Sequence, residues 1–586
     1  MKLKSLIIKN FRAINGSQNE LRFKDNNIVF LFGKNNIGKS SVLHAYRYFA
    51  SPNQKSLITD FFDQNPENQI VIEASFLKEE TDNDNFEQKG LNKWVSAEGE
   101  IKFRKTWSAV DAVAKKETFS IEENQFVDGG FGGLEPILTN ATPNIIYIEA
   151  MPSIKSLTDW LEKEIKAKLL KKLKENHIAE YDSALTAIKT LQEKVECADY
   201  MGAISTSANK YFSQTFPDLQ LNIRSTPHKE ADLSKAFEKD FSVTIGNKIE
   251  DEEGQLQEAV DAIQQLTDEQ NGDNEVADRT FDLHGHGLIR QAIINILGIF
   301  KDSKENEKHI ILFEEPELYL HPSNKRKFRD TLYKIAEQEE YQIICVSHDP
   351  QLIDMSRQHT SLARFIKKEN GETAIYQAGD DVFSKDDATK DHVLMLNRFN
   401  PHVCETFFSD EVVLVEGDTE AIVLRGLLSE HYPESDVFVL NTGTKNNIPF
   451  FIEVLTHFKI KQHVIHDSDE RYLYKNEVRQ LKNDGNPKLN SAWTLNQKIW
   501  DEISKANDLG VSAKRYVSIR NFEHSHGYKH DPQKGKPLSA YEYAKNLDVN
   551  DEGISIVNFL KQIVGAIDYV QEFTQEYLEN TVIEPY

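Results

Sequence analysis

Asn26-Asn27-Ile28-Val29-Phe30-Leu31-Phe32-Gly33-Lys34-Asn35-Asn36-Ile37-Gly38-Lys39-Ser40 opens as a short apolar run and stops at a glycine, the pattern of a buried strand feeding a loop. Residues 40–49 then read as a helix. Between the two, Gly33 to Ser40 satisfies GxxxxGK[ST], and the strand–loop–helix setting is what gives that motif its meaning. Its glycines let backbone N–H groups curl around phosphates, and the helix N-terminus adds its dipole. Lys39 is placed to neutralise phosphate oxygens and the Ser40 hydroxyl to ligate Mg²⁺. Gly33, Asn35, Asn36, Gly38, Lys39, Ser40 and Ser41 therefore form the candidate phosphate cradle.

Working outward, alternation over residues 3–8 predicts a strand, and further strands are expected at 70–76, 101–107 and 145–148. Residues 154–211 are almost all helix-forming, with Leu161, Ile165, Leu169 and Leu173 at four-residue spacing between lysines, the pattern of an amphipathic helix with a solvated face. Strands at 219–224 and 241–245 precede an acidic, Gln-rich segment, 250–278, read as part helix and part linker. From Gly287 a helical pattern leads to a strand at 310–313, a second helix and a strand at 343–346. This alternation predicts a parallel sheet flanked by helices. Ile310-Ile311-Leu312-Phe313-Glu314-Glu315 delivers two carboxylates to a strand end, where ligands bind in open α/β sheets; one can hold Mg²⁺ and the other orient water. His348 ends the following strand.

With 586 residues the chain has room for about three or four compact units, which excludes a single small binding module. A net charge of −25 argues against coating nucleic acid through bulk charge, so any DNA site must be local. Cys197, Cys345 and Cys404 lie far apart with no CxxC spacing, indicating neither a disulfide framework nor a zinc site. The N-terminus lacks the apolar core of a signal peptide, and no stretch approaches a membrane span. A cytoplasmic protein without membrane contact is expected.

A second strand–helix pattern begins at Glu411. Val412-Val413-Leu414-Val415-Glu416-Gly417 ends a buried-type strand in a glutamate and a Gly turn, with Glu420 one helical turn on. A strand follows at 437–441, and Val464-Ile465-His466-Asp467-Ser468-Asp469 ends another strand in DxD. On an extended segment Asp467 and Asp469 would point the same way. Hard oxygen ligands of this kind suit Mg²⁺ or Mn²⁺, which can activate water and stabilise the leaving oxygen of a phosphodiester.

The first half, with Asn10-Phe11-Arg12, resembles the ABC-type ATPases of the SMC and RecF kind. The resemblance adds Arg12 to the nucleotide site. It makes Glu314 the Mg²⁺-side acid, although aspartate is commoner there, Glu315 the water-orienting acid and His348 the γ-phosphate sensor. Asp282-Leu283-His284-Gly285-His286-Gly287 stands where a signature segment is expected, which implies nucleotide contacts from Gly285 and Gly287; His284 replaces the usual serine, so nucleotide binding is implied more firmly than hydrolysis. The second half resembles a Toprim domain. Their joint order, including EEPELYLHP, resembles the OLD (overcoming lysogenisation defect) nucleases, including the Gabija nuclease subunit and retron-associated effectors.

That resemblance implies an α/β chain: an ABC-type P-loop ATPase head (1–150 and 218–395) with a helical, dimerising insertion (151–217), followed by a Toprim α/β domain (396–586). It implies a metal-dependent DNA endonuclease gated by ATP, acting in bacterial anti-phage defence. Glu416, Asp467 and Asp469 would bind one ion, with Glu420 and Glu523, from Arg520-Asn521-Phe522-Glu523, helping to hold a second. Lys536, or Lys534 beside it, would stabilise the developing phosphorane charge. A dimer or tetramer is implied, as is a defence partner such as a helicase-like subunit or a retron reverse transcriptase with its nucleic acid. The rival readings are a RecF/SMC-like DNA-binding ATPase and an ATP-dependent scaffold, neither with nuclease activity.

Overall fold

The computed structural model describes residues 1–128, 142–150, 308–377 and 401–582 apart from scattered positions, together with two short strands noted below. Apart from Ser183 and Thr186, the expected helical insertion lies outside the described residues, as do Gly285 and Gly287. The chain divides into two compact units, Met1–Ala150 with Lys301–Tyr586, and Met151–Phe300.

The first unit opens with β1 (Lys2–Lys9), β2 (Glu20–Arg22), β3 (Ile28–Phe32) and helix α1 (Lys39–Ala50). There follow β4 (Ile70–Leu77), β5 (Glu100–Trp107), β6 (Lys115–Ser120), β7 (Gln125–Asp128) and β8 (Asn144–Ile148). The second unit contributes β9 (Thr244–Ile245) and β10 (Arg279–Thr280), an antiparallel pair. The chain then gives β11 (His309–Glu314), α2 (Pro322–Ala336), β12 (Tyr341–Val346), β13 (Leu362–Lys367) and β14 (Thr373–Gln377).

Two sheets result. One is antiparallel, in the order β2-β1-β4-β5-β6-β7; the other runs β14-β13-β3-β12-β11-β8 and is parallel except for β14. Every residue of β3 and β12 is buried, as expected of central parallel strands covered on both faces. Helix α1 joins the sheets: Val42, Leu43 and Tyr46 share a single core with Leu6 and Ile72 of the antiparallel sheet and with Leu312 and Ile344 of the parallel one. Burying such side chains contributes roughly 1.5–3 kcal/mol each.

Strand β13 was not anticipated, because Arg364 interrupts its apolar run. The guanidinium is nonetheless buried. It donates to the carbonyls of Phe407 (3.3 Å), Phe458 (2.9 Å) and Ser409 (2.8 Å) and to the Asp410 carboxylate (2.7 Å). An arginine can lie in a core only when its donors are matched in this way.

Residues 401–582 build a third sheet. Strand β15 (Glu411–Val415) leads to α3 (Asp418–His431), β16 (Phe438–Asn441), α4 (Ile448–His457) and β17 (Lys461–Asp467). After the short strands β18 (Tyr474–Lys475) and β19 (Val478–Arg479) come α5 (Ser491–Asp508), β20 (Ala513–Ser518), α6 (Phe522–His526), α7 (Lys536–Asn546), α8 (Ser555–Ile563) and α9 (Gln575–Thr581). The sheet runs β16-β15-β17-β20, parallel throughout. Its parallel strands present their carboxyl ends at one edge, the edge where α/β sheets bind ligands.

Candidate functional site

Two sites take shape at strand ends. In the first, the loop from Gly33 to Gly38 leaves β3 and enters α1. Gly33 has φ +145 and Gly38 φ +102, and a Cβ on Gly33 would lie 2.2 Å from the Phe365 carbonyl oxygen. Only glycine fits this close approach and backbone conformation. Asn35 and Asn36 are exposed on the loop, Lys39 and Ser41 are buried, and Ser40 is half-buried. The Lys39 ammonium donates to the Gly33 carbonyl at 2.9 Å, and burial brings its pKa down to about 8.

The acids gather on β11 and the turn that follows it. Glu314 accepts from the Tyr147 hydroxyl at 3.0 Å, and Glu315 lies 3.5 Å from His348 Nε2. Burial, helped by Lys39, pushes the His348 imidazole down to about 4, so it is a neutral donor or acceptor at physiological pH. Glu317 was missed by the sequence reading. It is buried, accepts from Ser347 Oγ (2.9 Å) and the His348 amide (2.8 Å), and has its pKa raised by burial. Its signal was the third carboxylate of EEPE, and its bonds fix the His348 backbone. Arg12 pairs instead with buried Asp60 at 3.1 Å, while neighbouring Ala13 lies where a Cβ on Gly38 would meet it at 2.7 Å.

The second site lies at the carboxyl edge of the third sheet. Glu416 follows β15, and Gly417 starts α3, whose first turn carries Glu420. Asp467 ends β17 and donates its amide toward Glu416 Oε2 at 3.5 Å. Burial pushes Asp467 up to about 9, reinforced by Glu416, Glu420 and Asp469. Burial also raises Glu416, and takes Glu420 to about 7 with Glu416 and Glu523 adding to the shift. Glu523, exposed in the first turn of α6, is therefore near enough to be felt by Glu420. Asp467 Oδ1 is buried without a hydrogen-bond partner.

The DxD geometry differs from the sequence expectation. Strand β17 stops at Asp467, and Asp469 has φ +58 in the left-handed region, so the two side chains are not consecutive positions on one strand face. The turn is held by the end of β20 and the residues just beyond it: Ser468 N donates to the Ser518 carbonyl, Asp469 N to the Arg520 carbonyl and Arg520 N to Ser468 Oγ. Lys445, which the sequence reading also missed, supplies the cation. Its buried ammonium lies 2.6 Å from both the Asp467 carbonyl and Asp469 Oδ2. The signal lay in Thr442-Gly443-Thr444-Lys445, a Gly turn at the carboxyl end of β16, beside the strand that delivers Glu416. His466 also packs under this turn, with Nδ1 2.8 Å from the Asp467 carbonyl and Nε2 accepting from Arg515 at 2.9 Å. Lys536 is exposed at the start of α7, and Lys534 is paired with Glu542 at 2.7 Å.

The donor set is all oxygen and includes a buried orphan carboxylate atom, Asp467 Oδ1, and this suits a hard divalent cation. Among the described residues, no three acidic, histidine or cysteine side chains are gathered closely enough to ligate one ion as they stand.

A phosphate loop in one parallel sheet and strand-end carboxylates in another define an ATPase joined to a Toprim domain. Residues 1–353 match the AAA ATPase domain family, and residues 407–469 match the TOPRIM domain of overcoming-lysogenization-defect-like proteins. The Old nuclease of Escherichia phage P2 is 24% identical over 575 residues, covering 91% of this chain and 89% of that protein. The OLD nuclease of Thermus scotoductus is 27% identical over 190 residues, covering 31% and 35% respectively. Among solved structures, the SMC head bound to the C-winged helix domain of ScpA has a TM-score of 0.37 at 12% identity, covering 66% of this chain and all of that one, too slight a likeness to carry an argument. The chain belongs to the AAA ATPase domain family and is an OLD-family nuclease with an ATPase domain. Among the described residues no helix is long and apolar enough to cross a membrane.

Proposed function

We propose that the chain is a metal-dependent DNA endonuclease whose Toprim domain hydrolyses phosphodiester bonds under the control of its ATPase domain. The observation that carries this reading is Asp467: a buried, partnerless carboxylate oxygen in the field of Glu416, Glu420 and Asp469 is costly unless a cation offsets it. Glu416, Asp467 and Asp469 would hold one Mg²⁺ or Mn²⁺, and Glu420 with Glu523 would help hold a second. The ions, when bound, supply Lewis acidity toward water and the phosphate oxygens. Lys445 and His466 fix the Asp467 backbone, and Lys445 also orients Asp469. Lys536 is the better candidate to meet the developing phosphorane charge, since Lys534 is engaged by Glu542.

ATP with Mg²⁺ would be held by the Gly33–Ser41 loop, with Glu314, Glu315 and His348 facing the phosphates. Coupling to the nuclease has a physical route. Lys34, inside the phosphate loop, lies 2.9 Å from both Asp410 and Asp436 of the Toprim half, and Arg364 ties β13 to the same half. The family resemblance supports a homo-oligomer and a role in anti-phage defence. Cleavage of supercoiled plasmid in Mg²⁺ or Mn²⁺, with and without ATP, beside Asp467→Ala tests the reading. Cleavage by the wild type and none by the variant is expected; full cleavage by Asp467→Ala would overturn the catalytic assignment.

A further inference from the structure

We propose that residues 470–490 form a DNA-gripping finger that holds the substrate backbone beside the Toprim carboxylates; this rests on the nuclease reading. The segment leaves the chain immediately after Asp469 and carries five Lys or Arg against three Asp or Glu, a local positive balance in a chain of net charge −25. Its basic side chains Lys475, Arg479, Lys482 and Lys488 are exposed. So are Val478 and Leu481, at 69% and 59% of their surface. Neither solubility nor a core explains branched apolar side chains presented among cations, whereas a contact surface does.

The finger is built to hold its place. Tyr474 pairs with Arg479 and Lys475 with Val478 across β18 and β19. A third limb closes on them: Leu473 N donates to the Lys488 carbonyl and Lys488 N to the Gln480 carbonyl, both at 2.9 Å. The Arg479 guanidinium stacks 4.4 Å from the Tyr472 ring, which holds a flexible cation at little further entropic cost. Both roots are tied to the catalytic turn. Asn490 N donates to the Arg471 carbonyl (3.0 Å), the Asn490 side chain caps α5, and Asn496 of that helix donates to the Ser468 carbonyl at 2.8 Å.

A limb rooted directly after Asp469 and tipped with cations and apolar side chains matches the chemistry of a DNA strand. The cations meet phosphates, and the apolar side chains meet sugars and the groove. Acids hold metal at the site but repel phosphate, so the substrate needs its counter-charge close by, and the finger supplies it.

The test is anisotropy of a labelled DNA duplex with the full-length protein in Ca²⁺, across a salt series, for the wild type, Arg479→Gln/Lys482→Gln/Lys488→Gln and Val478→Ser/Leu481→Ser. The triple variant should bind at least about tenfold more weakly at low salt, and its log–log salt slope should shrink by about two to three units, one phosphate contact per lost cation. The Val478/Leu481 variant should bind more weakly with the slope unchanged. Wild-type affinity and slope in both variants would overturn the finger and leave it as a surface for another macromolecule. A wild type that binds no DNA would sink the nuclease reading and the finger with it. Thermal unfolding matching the wild type shows that the exposed substitutions leave the fold intact.

Discussion

Lys445 and Asp469 meet at 2.6 Å across the mouth of the Toprim site, and the same ammonium holds the Asp467 carbonyl at 2.6 Å. The side chain that steadies both aspartates comes from the turn that follows β16, and β16 lies two strands from β17 in the sheet order. A buried cation among carboxylates both pairs with one acid and lowers the repulsion among the rest.

Lys445→Ala should therefore lower cleavage by at least about a hundredfold, because the Asp469 carboxylate and the Asp467 backbone both lose their restraint. The metal concentration for half-maximal cleavage should shift as well, and stability should fall by about 1–3 kcal/mol as buried acceptors lose their donor. Plasmid cleavage over a metal titration, with chemical unfolding alongside, measures all three. Wild-type cleavage in the variant would remove Lys445 from the site.

Asp467→Asn should separate activity from stability. The amide has nearly the shape of the protonated acid, and it removes a buried ionisable group whose pKa is pushed up to about 9. Metal-free stability should stay within about 1 kcal/mol of the wild type or rise, as at other sites where function requires uncompensated polarity, while cleavage is lost. A variant destabilised by several kcal/mol would show that the carboxylate serves the fold instead.

Lys34→Ala tests the link between phosphate loop and nuclease. Lys34, Asp410 and Asp436 are substantially exposed, so the pair should contribute no more than about 1 kcal/mol to stability. The ratio of cleavage with ATP to cleavage without it should nevertheless move toward unity. An unchanged ratio would show that coupling does not run through Lys34.

Arg364→Ala should cost about 2–4 kcal/mol, because it leaves the buried carbonyls of Phe407 and Phe458 without their donor. Urea unfolding measures the loss, and a change below about 1 kcal/mol would mean that β13 relaxes without its arginine.

His526 gives a pH dependence whose sign follows from its burial. Its Nε2 lies 2.9 Å from Ser518 Oγ, and burial pushes its pKa down from 6.5 to about 3. Between those values the unfolded chain binds the proton and the folded one does not, so this residue's contribution is complete above pH 6.5 and is lost as pH falls toward 3. His526→Gln should flatten the acid limb of the stability profile by about one proton. An unchanged slope from urea midpoints across that range would refute it.

The sequence by itself determined the local elements. The apolar runs of β3, β11, β15 and β17 mark strands buried on both faces, and the Gly33–Ser40 spacing with LVEG and DSD at strand ends marks two chemistries, because glycine freedom and strand-end acids leave a pattern within a few residues. Only the tertiary structure decided what depends on distant partners. Arg364 hides a strand until four acceptors appear around it; Asp469 leaves the strand geometry because Ser518 at the end of β20 and Arg520 just beyond it capture its turn; Lys445 joins the site only when β16 pairs with β15. Charge and hydrogen-bond satisfaction are set by neighbours remote along the chain, and such neighbours have no fixed spacing for a sequence to display.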